Sequence, residues 1–84
     1  MILNMYAIRD AKTTFMTPTI DQNDASAMRN FVHAMRNPET LMNSHPQDYS
    51  LYLLAQYDTE SGKILPLDPP GPINIMNGGL EHVT

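Results

Sequence analysis

The stretch YSLYLLAQYDTESGKIL, residues 49–65, contains two predicted strands and the turn between them. Apolar side chains alternate over residues 49–57, which places Tyr49, Leu51 and Leu53 on one face and Tyr52 and Leu54 on the other. Such a period of two is typical of a β-strand, and apolar residues on both faces indicate a central one. Residues 58–62 end in a glycine that tolerates a positive φ, which predicts a hairpin. Residues 63–65 then form a short third strand that ends at Pro66.

A second apolar strand is predicted at the N-terminus, over residues 2–9. Leu3, Met5 and Ala7 share one face, and Ile2, Tyr6 and Ile8 share the other. Residues 10–20 mix Lys, Thr and Pro18 around Phe15-Met16, which predicts a loop whose two apolar side chains contact the core.

One long helix is predicted over residues 22–36. Its apolar residues recur at the helical spacing i, i+3, i+4 and i+7 at Met28, Phe31, Val32 and Met35. The polar run 21–24 offers caps for its start, and Asn37-Pro38 ends it because a residue before proline avoids the α region. Pro38 opens a second short helical turn through residues 39–42, before His45-Pro46.

These elements predict an α+β domain in the order strand, helix, short helix, strand, hairpin, strand. The sheet has three strands, and the main helix covers one of its faces. The domain occupies residues 1–66, and residues 67–84 form an extended tail, because four prolines fall within residues 66–72 and Gly78-Gly79 follows. Residues 73–76 are a candidate docking segment within that tail.

The sheet face away from the helix is predicted to carry an apolar patch. Its expected members are Tyr6, Ile8, Tyr52 and Leu54. A soluble monomer seldom leaves such a patch uncovered. Three coverings remain open: self-association into a homo-oligomer, docking of the tail, or stacking of unpaired bases on the aromatic rings.

The charge distribution restricts where nucleic acid can bind. The formal net charge is −4, opposite to the basic footprint of most nucleic-acid-binding proteins. Residues 1–36 carry a net +1 and residues 37–84 a net −5. The candidate phosphate contacts are therefore the four cations of the N-terminal half, which are Arg9, Lys12, Arg29 and Arg36.

Other classes of function have little support in the sequence. The chain has no cysteine, so it has no disulfide framework, and we expect a reducing cytoplasm. The longest apolar run, residues 51–55, is too short to span a bilayer. His45 and Asp48 can in principle form an acid–base pair, but the run 44–49 is better explained as a turn that leads into a strand. We expect no enzymatic activity, no metal site and no cofactor.

Several motifs together resemble a known family. They are the strand that ends in Arg9-Asp10, the Phe15 loop with Pro18, the helix that ends at Asn37-Pro38, the run SHPQDY over residues 44–49, and the turn from Asp58 to Gly62. Over roughly residues 3–70 the chain resembles the small nonstructural protein of the gokushovirus group of microviruses, which are phages with circular single-stranded DNA.

The resemblance implies an early phage protein in the host bacterial cytoplasm. Proteins of this group are described as DNA-binding, with a proposed role in the switch from duplex replication to synthesis of the single-stranded genome. The family supplies no catalytic residue to transfer. The leading hypothesis is therefore a homo-oligomeric protein that binds single-stranded DNA during replication or its control. The alternative is an adaptor that binds a phage or host replication protein without contacting DNA.

Overall fold

A computed structural model describes residues 1–79 of the chain. Its elements in chain order are β1 (Ile2–Asp10), β2 (Thr19–Asp21), α1 (Asp24–Met35), α2 (Leu41–Ser44), a 3-10 helix (Pro46–Asp48), β3 (Tyr49–Asp58), β4 (Ile64–Pro66) and β5 (Ile73–Asn77). The α+β class is as predicted. Residues 80–84 of the predicted tail lie outside the described part of the chain.

The strands form one antiparallel sheet with β3 at its centre. One edge of β3 pairs with β1 along its whole length, from Ile2 opposite Asp58 to Asp10 opposite Tyr49. On the far side of β1 lies the short strand β2. The other edge of β3 is shared, since β4 pairs with residues 55–57 and β5 pairs with residues 50–53.

The sheet has five strands, so the predicted count of three was wrong. Strand β2 comes from the end of the predicted loop, where Ile20 lies opposite Met5. Strand β5 comes from the predicted docking segment, where Met76 lies opposite Leu51. Strand β4 is only three residues long and leaves half of the β3 edge without a ladder partner. The backbone groups of a central strand need hydrogen bonds, and β5 supplies them.

Two glycines allow the C-terminal segment to lie close to the sheet. A Cβ atom on Gly71 would be 2.8 Å from the carbonyl oxygen of Leu53. A Cβ atom on Gly78 would be 2.1 Å from the carbonyl oxygen of Pro46, which is closer than any real Cβ contact. The backbone N–H of Gly78 donates to the carbonyl of Tyr49 at 2.8 Å. The residues that suggested a free tail are thus the ones that let β5 approach β3.

Helix α1 confirms the sequence prediction to within two residues at its start. The side chain of Asn23 caps it by accepting a hydrogen bond from the backbone N–H of Ser26 at 2.8 Å. Its buried residues Ala27, Phe31 and Met35 are on one stripe. The second helix begins at Leu41 rather than at residue 39, because the Thr40 side chain caps it.

The core lies between α1 and one face of the sheet. Its buried side chains are Tyr6, Ala27, Phe31, Met35, Met42, Tyr49 and Leu51, with Ile8, Leu53, Ile75 and Met76 packed against them. The hairpin from Asp58 to Lys63 is as predicted. Its Gly62 has φ +74°, and its N–H donates to the Asp58 carbonyl at 2.8 Å.

Candidate nucleic-acid interface

The face of the sheet opposite α1 is not the one that the sequence predicted. Tyr6 was expected there, but it is completely buried beneath α1. Ile8, expected beside it, packs against the same core. The reason is the register, which places Tyr6 opposite Leu53 and Ile8 opposite Leu51. A one-residue shift exchanges the two faces of a strand, and alternation alone does not decide which faces meet.

A bulge in β3 also changes which residues of that strand lie on each face of the sheet. Met5 lies opposite Ala55 and Tyr6 opposite Leu53, so Leu54 has no partner in β1. Leu54 is half-buried at this irregularity. Of the four residues predicted for the uncovered patch, Tyr52 is the one that the ladder places firmly on the face away from α1, because it pairs with Ala7.

The buried hydroxyl of Tyr6 forms two side-chain hydrogen bonds. It donates a hydrogen bond to Oδ1 of Asp24 at 2.5 Å and accepts one from Nδ2 of Asn4 at 2.9 Å. Burial, together with the hydrogen bond to Asp24, raises the pKa of Tyr6 to about 12. Tyr6 therefore holds β1 to the first turn of α1 and presents no ring to a ligand.

The ladder defines the residues of the face away from α1, which we call the open face and of which Ala7 is buried. Its strand positions, read from directly opposed pairs, are Leu3, Met5, Ala7, Arg9, Ile20, Ser50, Tyr52, Ala55, Tyr57, Ile64, Pro66, Asn74 and Asn77. Opposed residues in an antiparallel ladder share a face. None of these positions is an aspartate or glutamate, although the protein as a whole is acidic.

One end of the open face carries an aromatic–basic cluster, formed by Arg9, Phe15 and Tyr52. The rings of Phe15 and Tyr52 meet edge to face, with centroids 5.5 Å apart and an interplanar angle of 75°. The guanidinium carbon of Arg9 lies 5.9 Å from the Phe15 centroid, within the range of a cation–π interaction. Phe15 is 38% exposed, so part of this ring remains available to a ligand.

A tight turn positions Phe15 beside the sheet. The backbone N–H of Asp10 donates to the Thr14 carbonyl at 3.0 Å, and the Asp10 side chain accepts from the Lys12 N–H at 2.9 Å. Beyond the turn the N–H of Met16 donates to the Ile8 carbonyl at 2.7 Å. The predicted loop is therefore an extension of the β1–β2 hairpin, and Phe15 forms a bridge to Arg9.

The four predicted phosphate contacts do not form one surface. Arg9 lies on the open face, and Lys12 lies in the turn that follows the same strand. Arg29 lies on α1 and Arg36 at its C-terminal cap, and α1 packs on the other face of the sheet. Arg29 is close to Asp21, whose pKa is lowered mainly by a hydrogen bond from Ser26, and further by Asn30 and by Arg29. Arg9 is thus the one of these four cations on the open face, and Lys12 follows it in the turn after β1.

The run His45 to Tyr49 borders a separate cleft of about 260 Å³. Its lining includes Asp10, Lys12, Leu41, His45 and Asp48. Pro46 begins the 3-10 helix, and the carbonyl of Asp48 accepts from the Ala11 N–H at 2.8 Å. Burial and the nearby Asp10 carboxylate raise the pKa of Tyr49. These contacts agree with the turn-and-strand interpretation of this run.

Residues 1–79 contain neither a cluster of metal ligands nor a membrane-spanning helix. In that part of the chain no group of three His, Asp or Glu side chains is placed to hold a metal ion. No helix in the same range is long and apolar enough to cross a membrane.

The structure thus defines a small α+β protein with a five-stranded antiparallel sheet, one of whose faces carries an exposed aromatic residue beside an arginine. The chain matches the family described as Phage ORF5 protein over residues 3–80. It belongs to that family and is a bacteriophage protein. No curated protein and no solved structure gives a match to the chain.

Sequence reasoning missed several residues of this interface. Phe15 was predicted to anchor a loop rather than to lie beside Arg9. Asn74 and Asn77 were assigned to the tail, whereas they lie on the open face next to Tyr52 and Ser50. The sequence signals for these residues were weak. For Phe15 the signal was an apolar side chain in a loop, and for the asparagines it was a short β-prone segment between Pro72 and Gly78.

Proposed function

We propose that this phage protein binds single-stranded DNA directly and acts, without enzymatic activity, in replication of a single-stranded genome or its control. Its place of action is the host bacterial cytoplasm. Membership in a phage family supports the viral context. The resemblance to the gokushovirus nonstructural protein supports the more specific role.

The observation that carries the proposal is the contrast between the open face and the rest of the protein. The net charge is −4, yet the open-face strand positions contain no acid and contain Arg9. A DNA strand that approaches this face meets a cation and two aromatic rings before it meets a carboxylate. On the helix side, by comparison, the carboxylate of Asp21 lies close to Arg29.

The aromatic–basic cluster has the chemistry that unpaired bases require. Stacking of a base on an aromatic ring contributes about 1–3 kcal/mol and tolerates any sequence. Arg9 can neutralise a phosphate beside a base stacked on Phe15, and Lys12, in the turn that follows β1, is the candidate for a second phosphate. The side chains of Ser50 and Asn74 both donate to the Oδ1 atom of Asn77 at 3.1 Å, which leaves amide donors of both asparagines for the sugar or base edges.

The salt dependence follows from the number of phosphate contacts. For single strands the slope of log K against log salt is about −0.7 per contact. Two contacts, from Arg9 and Lys12, therefore predict roughly a seven-fold loss of affinity between about 50 and about 200 mM salt. Involvement of all four predicted cations would give a much steeper loss, so the slope separates the two arrangements.

The test is a fluorescence anisotropy titration of a labelled oligothymidylate with the full chain at both salt concentrations. We expect Arg9→Ala to weaken binding and to reduce the salt slope by about one contact, and Phe15→Leu to weaken it about ten-fold at unchanged slope. The matched control is Arg36→Ala, which removes an exposed cation from the helix side and should bind like the parent protein. Absence of binding at the lower salt, or equal losses for Arg9→Ala and Arg36→Ala, would contradict the proposal.

A second candidate function is the adaptor that contacts a phage or host replication protein and no DNA. The exposed run Asp68-Pro69-Pro70 between β4 and β5 favours it, because proline-rich segments are common recognition elements. If the titration shows no DNA binding, substitution of Pro69 and Pro70 by alanine becomes the decisive variant. Loss of phage replication in that variant, with its fold intact, would support the adaptor function.

A further inference from the structure

The end of β5 carries the one asparagine of the chain that precedes a glycine, in the pair Asn77-Gly78. Glycine has no Cβ atom to hinder the approach of its own backbone nitrogen to the preceding side-chain amide. An asparagine in this position is therefore more prone than any other to lose its amide nitrogen. Asn77 is exposed to solvent, so water and hydroxide reach its side chain.

The packing of the chain requires the glycine of this pair. A Cβ atom at position 78 would lie 2.1 Å from the carbonyl oxygen of Pro46 and 2.9 Å from that of Tyr49. A larger residue that would shield the Asn77 amide has no room there. The close approach of the chain to the start of β3 thus creates a chemically labile pair on the open face.

We propose that Asn77 is a site of spontaneous deamidation, at a rate set by release of the end of β5 from the sheet. The Gly78 backbone nitrogen gives its proton to hydroxide and attacks Cγ of Asn77. A new C–N bond forms, the bond from Cγ to Nδ2 breaks, and Nδ2 takes a proton from water and leaves as ammonia.

The resulting succinimide ring is then opened by water. Cleavage of the new bond to Cγ leaves aspartate at position 77, whereas cleavage of the original peptide bond leaves isoaspartate. Water and hydroxide are the only reactants besides the chain. Isoaspartate adds one carbon to the backbone path, so it also displaces the residues that follow β5.

The folded structure opposes the first step. The Gly78 N–H donates to the Tyr49 carbonyl at 2.8 Å, and Gly78 is buried. The Asn77 Oδ1 atom accepts from Ser50 and from Asn74, each at 3.1 Å. The succinimide nitrogen carries no hydrogen, so the bond to Tyr49 has to break before the ring closes. Opening of a strand end is a local fluctuation that leaves the rest of the fold intact.

The product would change the charge of the open face. Asn77 lies opposite Ser50, and Ser50 lies opposite Arg9, so two strand spacings of about 5 Å each separate Asn77 from Arg9. The strand positions of the open face contain no aspartate or glutamate, and deamidation would introduce the first carboxylate among them. On the basis of the proposed function, this carboxylate repels the phosphates of bound DNA and lowers the affinity.

The test is peptide mapping by mass spectrometry of the full chain, incubated without DNA at mildly alkaline pH. Deamidation raises the mass of the peptide that contains Asn77 by one dalton, and isoaspartate at position 77 identifies the succinimide route. A parallel sample is unfolded in guanidinium chloride at the same pH. We expect the folded chain to react at Asn77, but at least about ten-fold more slowly than the unfolded chain, because several hydrogen bonds hold the end of β5.

Ser50→Ala tests the structural control of the rate. It removes one hydrogen bond to the Asn77 side chain and should accelerate the reaction of the folded chain about three- to ten-fold, with no change in guanidinium chloride. Ser61→Ala is the matched control, since Ser61 donates to Asp58 in the distant hairpin and its loss should leave the rate at Asn77 unchanged. Circular dichroism checks that both variants are folded.

Three results would overturn the proposal. An unmodified Asn77 in the folded chain would show that the end of β5 does not open. Equal rates in the folded and unfolded parent would show that contacts with β3 do not protect the pair, whatever the behaviour of the variants. Equal acceleration by Ser50→Ala and Ser61→Ala would separate the rate from the contacts of Asn77.

The effect on DNA binding has its own measurement, so its failure and that of the deamidation are distinguishable. Asn77→Asp introduces the charge of the product, and Asn77→Ser is the neutral control that also lacks the labile pair. In the anisotropy titration at low salt, Asn77→Asp should bind oligothymidylate about three-fold more weakly than Asn77→Ser, and the difference should shrink as salt is added. Equal affinities of these two variants would overturn the effect on binding, while the mass measurement would still decide whether Asn77 reacts.

Discussion

The hydroxyl of Tyr6, on the interior strand β1, donates a hydrogen bond to the carboxylate of Asp24, the first residue of α1, at 2.5 Å. The two residues are 18 positions apart in sequence, and their contact joins the sheet to the helix beneath which Tyr6 is buried. Asn4 adds a second hydrogen bond to the same hydroxyl.

Replacement of Tyr6 by phenylalanine should destabilise the protein by about 1.5–3 kcal/mol, the usual contribution of a hydrogen bond to a charged group. The ring keeps its place in the core, while Asp24 and Asn4 each lose a partner. Urea unfolding followed by circular dichroism measures the change. The control is Tyr52→Phe, on the open face, for which we expect less than about 0.5 kcal/mol. Equal effects of the two substitutions would show that the Tyr6 hydroxyl has no special role.

The raised pKa of Tyr6 predicts a loss of stability in alkali. An unfolded tyrosine ionises near pH 10, whereas Tyr6 in the native state keeps its proton up to about 12. Between these values the unfolded state binds fewer protons than the native state, so the free energy of unfolding falls as the pH rises. The fall is about 1.4 kcal/mol per pH unit, or roughly 2 kcal/mol from pH 10 to pH 11.5.

Unfolding measurements at about pH 9.5 and about pH 11.5 isolate this contribution when parent and Tyr6→Phe are compared. The variant should lose less stability over the interval, because phenylalanine does not ionise. Tyr49 also has a pKa raised by burial and remains in both proteins, so its contribution cancels. Equal losses of stability in the two proteins would contradict the raised pKa of Tyr6.

Gly78 should tolerate alanine poorly. The added methyl group would lie 2.1 Å from the Pro46 carbonyl oxygen and 2.9 Å from the Tyr49 carbonyl oxygen, so the chain after β5 would have to move away from the 3-10 helix and from the start of β3. We expect a loss of about 3 kcal/mol, at the upper end of the usual cost of overpacking.

The comparison is Gly62→Ala in the hairpin, where φ is +74° but nothing lies within 4 Å of the new atom. Backbone strain alone should cost that variant about 1 kcal/mol. Thermal unfolding ranks the two variants. If Gly78→Ala proved the milder change, β5 would not be packed against β3 as described.

Loss of the N-cap of α1 should destabilise the protein moderately. The Asn23 side chain accepts from the Ser26 N–H at 2.8 Å, and its replacement by alanine should cost about 1 kcal/mol. Asn23→Ser retains an acceptor and should recover most of the loss, as judged by urea unfolding. Stability of Asn23→Ala equal to that of the parent would mean that water replaces the cap without cost.

Local patterns determined how well the fold could be predicted. The helical spacing from Met28 to Met35 and the alternation from Tyr49 to Tyr57 are properties of neighbouring residues, and both elements were predicted correctly. The pairing of Tyr6 with Leu53 depends on a bulge at Leu54, which no local pattern reveals. Strand β5 was missed because prolines and glycines at its ends suggest a flexible segment, whereas Gly71 and Gly78 permit a close approach to the sheet.

The candidate site was predicted less completely than the fold, because its residues come together only through contacts between distant parts of the chain. Charge counting gave the four N-terminal cations equal weight as candidates, and it could not show that the helix carries Arg29 and Arg36 to the other side of the sheet. Phe15 became a candidate only when the hairpin placed it beside Arg9. The assignment of Tyr6 to the ligand face was wrong because strand alternation gives two sets of residues without saying which set the helix covers.

The pairing of Ile2 with Asp58 also bears on how the chain acquires its structure during synthesis. Strand β1 precedes the other strands in the chain, yet its long partner β3 is translated only after both helices. In the interval β1 has only the three residues of β2 as a neighbour. Contacts between such distant segments slow folding, so the apolar residues of β1 lack their long partner until the helices between the two strands have been synthesised.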